Sequence, residues 1–196
     1  MRKFLLLLTI FLPIASFSQN ENLFDDGRMT FKGLSLSGSL DSFVDKLVSQ
    51  GYVLKTSQSD GALLKGSFAS ESDCTIVVMT TKRTHSVYGV GVSFEEKTSW
   101  SSLKSQYREY KAMLSSKYGD PSKHIERFYS PYYEGDGYEL QALRLDKCTY
   151  TSLYEVSNGT IMLSMTDDGG LIIYYVDKKG SDLNDRETRQ NAMSDL

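Results

Sequence analysis

Apolar residues fall along the chain in two alternating rhythms, one helical and one extended. Leu40, Phe43, Val44, Leu47 and Val48 repeat at helical spacing, with Ser39 placed to cap the start and Gly51 to end the element in a left-handed residue. Strands are predicted over 52–56, 62–68, 74–81 and 86–95. The last is the most regular: Tyr88, Val90, Val92 and Phe94 alternate with Gly89, Gly91 and Ser93, which gives one apolar face and one nearly bare. A second helix is predicted from Ser99, carrying Trp100, Leu103, Tyr107, Tyr110 and Leu114, and Gly119 followed by Pro121 ends it. Strands return over 123–129, 138–145, 148–156, 160–166 and 171–177, the last three as a meander. Asn158-Gly159 and Asp168-Gly169 are two-residue hairpin signals of the type that needs positive φ at both central positions.

Helix, glycine stop and strands thus occur twice, over 33–97 and 98–177, with no low-complexity linker between them. Two lobes sharing a sheet or an interface are expected. Residues 19–32 read as an extended lead-in, and 178–196 as a polar, fraying tail without sustained periodicity. Residues 1–18 read as a secretory leader: Arg2 and Lys3, then an apolar run from Phe4 to Ile14 too short to span a bilayer, then small residues before Gln19. Cleavage after Ser18 is expected, with a periplasmic or secreted product and no membrane span after leader removal.

Composition narrows the function classes. Loss of the leader takes the formal net charge from −3 to −5, and an acidic chain without a basic block is a poor partner for nucleic acid. A hydrophobic fraction of 40% is too rich for a disordered chain. Export would put Cys74 and Cys148 where disulfides persist, and a bridge closing a loop of about 75 residues is worth about 4 kcal/mol in the chain-entropy model. Two buried free thiols are the equal alternative.

Three local stretches, Phe31-Lys32-Gly33, Leu64-Lys65-Gly66-Ser67-Phe68 and Lys117-Tyr118-Gly119-Asp120-Pro121, resemble those of uncharacterised exported proteins of Gram-negative bacteria. The twice-repeated helix and strands resemble beta-lactamase-inhibitor-protein-like (BLIP-like) domains, each a helix followed by four antiparallel strands. The resemblance implies an α+β fold, an antiparallel sheet with helices packed on one face. It implies no particular activity, and a pair of bridges, one per repeat, cannot be built from two cysteines.

Candidate chemistry is sparse. His85 and His124 lack neighbouring ligands for a metal, and there is no phosphate loop or nucleophile elbow, so no catalytic residue, metal or cofactor is assigned. Asp25-Asp26 and Asp167-Asp168 pair carboxylates, but the second pair abuts Gly169-Gly170, where a turn accounts for it. Binding chemistry is concentrated in residues 128–138, where Tyr129, Tyr132, Tyr133 and Tyr138 surround Pro131, Gly135 and Gly137. Exposed tyrosine offers rigid contact area with a polar tip. A second candidate surface is a low-relief sheet face of Gly89, Gly91 and Ser93, with Ser164 and Thr166 beside them. The expected function is that of a non-catalytic binding or envelope-interaction protein whose partner is a protein or glycan of the cell envelope or exterior. An inhibitor of a secreted or periplasmic enzyme and a hydrolase of envelope polymers are the alternatives.

Overall fold

The computed structural model describes residues 26–194. The predicted leader, its cleavage site, the first part of the lead-in and Asp25 lie outside the described residues. The elements in chain order are β1 (Thr30–Phe31), β2 (Leu34–Ser35), α1 (Leu40–Ser49), β3 (Val53–Gln58), β4 (Gly61–Phe68), β5 (Glu71–Thr80) and β6 (Val87–Ser93). Next come α2 (Trp100–Tyr118), β7 (Lys123–Phe128), α3 (Glu139–Arg144), β8 (Cys148–Val156), β9 (Gly159–Met165), β10 (Leu171–Asp177) and α4 (Lys178–Ser194). The fold is α+β.

Helices α1 and α2 start as the sequence predicts. Ser39 Oγ accepts from Ser42 N–H at the head of α1, and Ser99 Oγ from Ser102 N–H at the head of α2. Gly51 and Gly119 close them at φ 95° and 84°. After α1, strands β3 to β6 form an antiparallel meander; after α2, β7 to β10 form another. The two meet at β6 and β10, so that one eight-stranded sheet runs β3-β4-β5-β6-β10-β9-β8-β7. At this seam Gly91 pairs with Tyr174 and Val92 with Ile173.

Burial alternates along β8, β9 and β10, as period-two strands with one covered face require. Ile76, Val92, Ile173 and Leu163, neighbours on four adjacent strands, are each at most 1% exposed. Leu40, Phe43, Val44 and Leu47 of α1 and Leu103, Tyr107, Tyr110 and Leu114 of α2 join them in one core. Each such aliphatic side chain stabilises the fold by about 1.5–3 kcal/mol. Hydroxyls fix α2 in place over β8: Tyr107 bonds Ser152 at 2.7 Å, and Tyr154 donates to the Lys111 carbonyl.

The opposite face is open. β5 brings Thr75, Val77 and Met79 to it, and β6 brings Gly89, Gly91 and Ser93. β10 adds Ile172, Tyr174 and Val176, and β9 adds Thr160, Met162 and Ser164. The nearly bare strip expected at the β6 glycines is in fact filled. A Cβ on Gly91 would stand 2.9 Å from the Tyr174 ring, and one on Gly89 would strike Met79 Cε. The glycines are recesses that receive these side chains, not contact points, and both are buried.

Four further expectations are corrected. Residues 139–144 are helix, not strand: the apolar positions at 138, 140, 142, 143 and 145 fit either rhythm, and burial of the adjacent Ala142 and Leu143 decides it. The β8–β9 turn does not have positive φ at Asn158 and Gly159, because Val156 pairs with Gly159 and leaves Ser157-Asn158 as the turn. Gly159 is required by close approach instead, since a Cβ would sit on the Val176 carbonyl. In the other hairpin Gly169 alone takes positive φ, at 89°. Residues 178–194 form a docked helix, not a fraying tail.

Two carboxylates tie down the chain ends. Asp177, fully buried, pairs with Arg28 and accepts from Met29 N–H at 2.8 Å and Gly180 N–H at 2.7 Å, so it holds the lead-in and the start of α4 together. The lead-in is accordingly part of the body, with Met29 and Phe31 in the core. Glu187 of α4 reaches the β5–β6 hairpin, accepting from Arg83 N–H at 2.6 Å and from Thr84 N–H and Oγ1. Burial raises its pKa, but these hydrogen bonds outweigh burial and hold it below the ordinary 4.5.

Asp177→Ala is expected to destabilise the protein by about 3 kcal/mol, read as a shift of the urea midpoint, because Arg28 and two amides lose a buried partner. A carboxyl with a lowered pKa contributes stability above its ordinary value and loses it as pH falls. Amide exchange at Arg83 and Thr84 should therefore be slow and pH-independent in protection above about pH 4.5 and lose protection in more acid solution; Glu187→Gln should abolish that acid dependence.

Candidate ligand-binding site

β7 ends at Phe128, and the connection to α3 leaves it beside the start of β8. Tyr129 N–H donates to the Lys147 carbonyl, and Tyr132 N–H to the Tyr129 carbonyl. Asp136 organises the stretch from Tyr133 to Tyr138. Its Oδ2 accepts from Tyr133 N–H at 3.1 Å and its Oδ1 from Tyr138 N–H at 2.8 Å, while Gly135 N–H donates to Glu139 Oε1 at 2.9 Å. Gly135 and Gly137 hold φ at 91° and 79°, which only glycine adopts without strain. The segment is thus fixed by its own backbone and not merely draped over the surface.

Three tyrosines converge here. Tyr132, Tyr133 and Tyr138, with Pro131, Asp136 and Gln141, line an open cleft of about 380 Å³. Tyr133 and Tyr138 are 64% and 60% exposed, whereas Tyr132 packs partly against the core and receives a hydrogen bond from Gln141 Nε2. Tyr129 is not in the cleft. Its hydroxyl accepts from Arg127 Nε and its ring lies 4.7 Å below the same guanidinium. Asp136 and Gln141 escaped the sequence reading. Asp136 looks like an ordinary turn residue, and Gln141 reaches the cleft only because its segment is helical.

Aromatic rings cluster at the end of β7 from which the loop departs. Trp100 packs edge-on against Phe128 and Tyr150 at centroid distances of 5.3 and 5.1 Å, and Lys104 of α2 pairs with Glu134 at the loop's outer side. The hydrogen bond from Lys104 lowers the Glu134 pKa. Gly89, Gly91 and Ser93 lie on β6, several strands away, and do not join this site. Ser164 shares their face, but Thr166 lies past the end of β9, where its hydroxyl bonds Asp168 in the turn.

The remaining chemical candidates are structural. Asp168 also accepts from Gly170 N–H, as a turn carboxylate does. Asp26 accepts from Ser35 Oγ at 2.6 Å, which lowers its pKa. His85, in a turn at φ 49°, and His124, on β7, are exposed. Among the described residues there is no cluster of histidine, cysteine or acidic side chains arranged to hold a metal, and no helix long and apolar enough to cross a membrane.

Cys74 and Cys148 are free and buried. They sit on β5 and β8, four strand spacings apart, or about 19 Å at about 4.8 Å per spacing, far beyond disulfide reach. Burial pushes the Cys148 thiol up to about 12 and raises that of Cys74, so neither is a ready nucleophile. Compared with known proteins, the chain matches no family model, no curated protein and no solved structure.

Thiol titration should find both cysteines unreactive in the native protein and both reactive after unfolding in denaturant, including for material purified under oxidising conditions. A disulfide-linked product under those conditions would contradict the strand order.

Proposed function

We propose that this chain is an exported, non-catalytic binding protein of the cell envelope or exterior, which takes a protein or glycan partner at the tyrosine cleft. The observation that carries this reading is the pre-formed geometry: exposed Tyr133 and Tyr138 beside half-buried Tyr132, held around the cleft by the hydrogen bonds that Tyr133 N–H and Tyr138 N–H donate to the Asp136 carboxylate. Rigid phenol rings lose little conformational entropy on binding and present both an apolar face and a hydroxyl. The leader-like residues 1–18 support export. Each half of the sheet follows one long helix and contributes four strands, which supports the resemblance to BLIP-like domains. The enzyme alternative has weaker support, because among the described residues the carboxylates whose acidity is shifted, Asp26, Glu134 and Glu187, are all shifted down, opposite to a general acid.

The test is capture from the envelope fraction and from fragments of envelope glycan by immobilised protein. Tyr133→Ser with Tyr138→Ser should leave the thermal melt unchanged and weaken capture about 100-fold, at roughly 1–2 kcal/mol per ring. Tyr132 is kept, because its ring also supports the fold. Undiminished capture by the double variant, or its failure to fold, would refute the assignment of these two rings to binding.

A further inference from the structure

The open face of the sheet has an order of its own. Leu63, Val77, Gly91, Tyr174, Met162 and Leu153 are successive neighbours on six adjacent strands and form one apolar row across it. The row on one side carries hydroxyls, Thr75, Ser93 and Ser164 with Ile172 among them, and the row on the other is Met79, Gly89, Val176 and Thr160. Over the paired span of β5, β6, β10 and β9 this face carries no charged side chain. Charge begins at its borders, with Lys65 on β4, Glu155 on β8 and Lys123 and Arg127 on β7.

We propose that this face is the contact surface of a homodimer, two copies packing sheet against sheet. Its size fits: eight strands about 4.8 Å apart and about seven residues long at about 3.3 Å each span on the order of 850 Å², close to the roughly 800 Å² per partner of a stable interface. Its chemistry fits a copy better than a foreign partner. An uncharged centre offers nothing for an oppositely charged surface to complement, while in a two-fold interface each patch meets its own kind, so centrally placed charges would oppose like charges. An apolar centre with charge at the rim is the usual anatomy of such contacts. The sheet edges are poor routes to association by comparison. β3 is broken by a bulge at Leu54 to Thr56, and β7 presents Lys123 and Arg127. The tyrosine cleft lies where Ala142 and Leu143 of α3 enter the helix-side core, so a dimer would carry two free clefts and bind multivalent partners with avidity.

Sedimentation velocity of the purified chain from about 1 to 200 µM tests this, the span over which micromolar affinity is read. The wild type should be dimeric. Met162→Lys and, separately, Val77→Glu should raise the dissociation constant about 100-fold or more, since each places like charges opposite one another. Val48→Lys, on the outer side of α1, should change nothing. Far-UV circular dichroism melts of the variants establish that each remains folded. A wild type that is monomeric throughout, a dimer indifferent to both substitutions, or a co-purifying protein or lipid released by them would overturn the proposal.

Discussion

The pairing of β6 with β10 is the constraint on which the rest of this molecule depends. Without it each half is a four-stranded meander with a second exposed edge and an incomplete core. With it, Val90 and Val92 lie beside Ile173 and Tyr175, and the helices of both halves cover one continuous apolar surface. The seam needs small residues on its far side. Gly89 and Gly91 leave room for Met79 and Tyr174 to lie over β6, so the glycines serve close packing on the face where sequence alone suggests bare backbone.

Joining the halves at their last strands sends β3 and β7 to the two edges, and the connection from β7 to β8 then runs at the margin of the core, with Ala142 and Leu143 inside it and Tyr133 and Tyr138 outside. Between β7 and β8 the chain makes a loop and a short helix, anchored in the core by Ala142, Leu143 and Tyr132 and held internally by Asp136. A binding surface built this way is held without being buried, because Asp136 ties the loop to itself, Lys104 and the Lys147 carbonyl tie it to its neighbours, and its apolar contacts belong to the core. The equivalent position on the first half is the plain β3–β4 hairpin at Ser59-Asp60.

Polar groups elsewhere serve architecture. Asp177 gathers the lead-in, the end of β10 and the start of α4 on one carboxylate, and Glu187 clips the far part of α4 to the β5–β6 hairpin. Tyr107 and Ser152 join the second helix to the sheet inside the core. Each satisfies buried amides or hydroxyls that would otherwise oppose folding. Such groups resemble catalytic acids in sequence, but their hydrogen-bonding capacity is already taken.

Helices α1 and α2, their serine caps, their glycine stops and most of the strands were legible in the chain, because each rests on interactions within a few residues: side-chain periodicity, a capping hydroxyl, a left-handed glycine. The tyrosine-rich segment was legible as a candidate site for the same reason, by local composition. Tertiary structure alone decided the order of strands, and with it the distance that keeps Cys74 and Cys148 apart, since sheet order arises from contacts remote in sequence. It alone made 139–144 a helix, where two rhythms fit equally and burial chose between them. It alone docked 178–194, whose buried residues are Gly180 and Glu187, so that no apolar periodicity announces the contact. And it alone sorted the four tyrosines, giving Tyr129 to Arg127 and the other three to a common cleft, because which way a ring turns depends on neighbours that only the folded chain supplies.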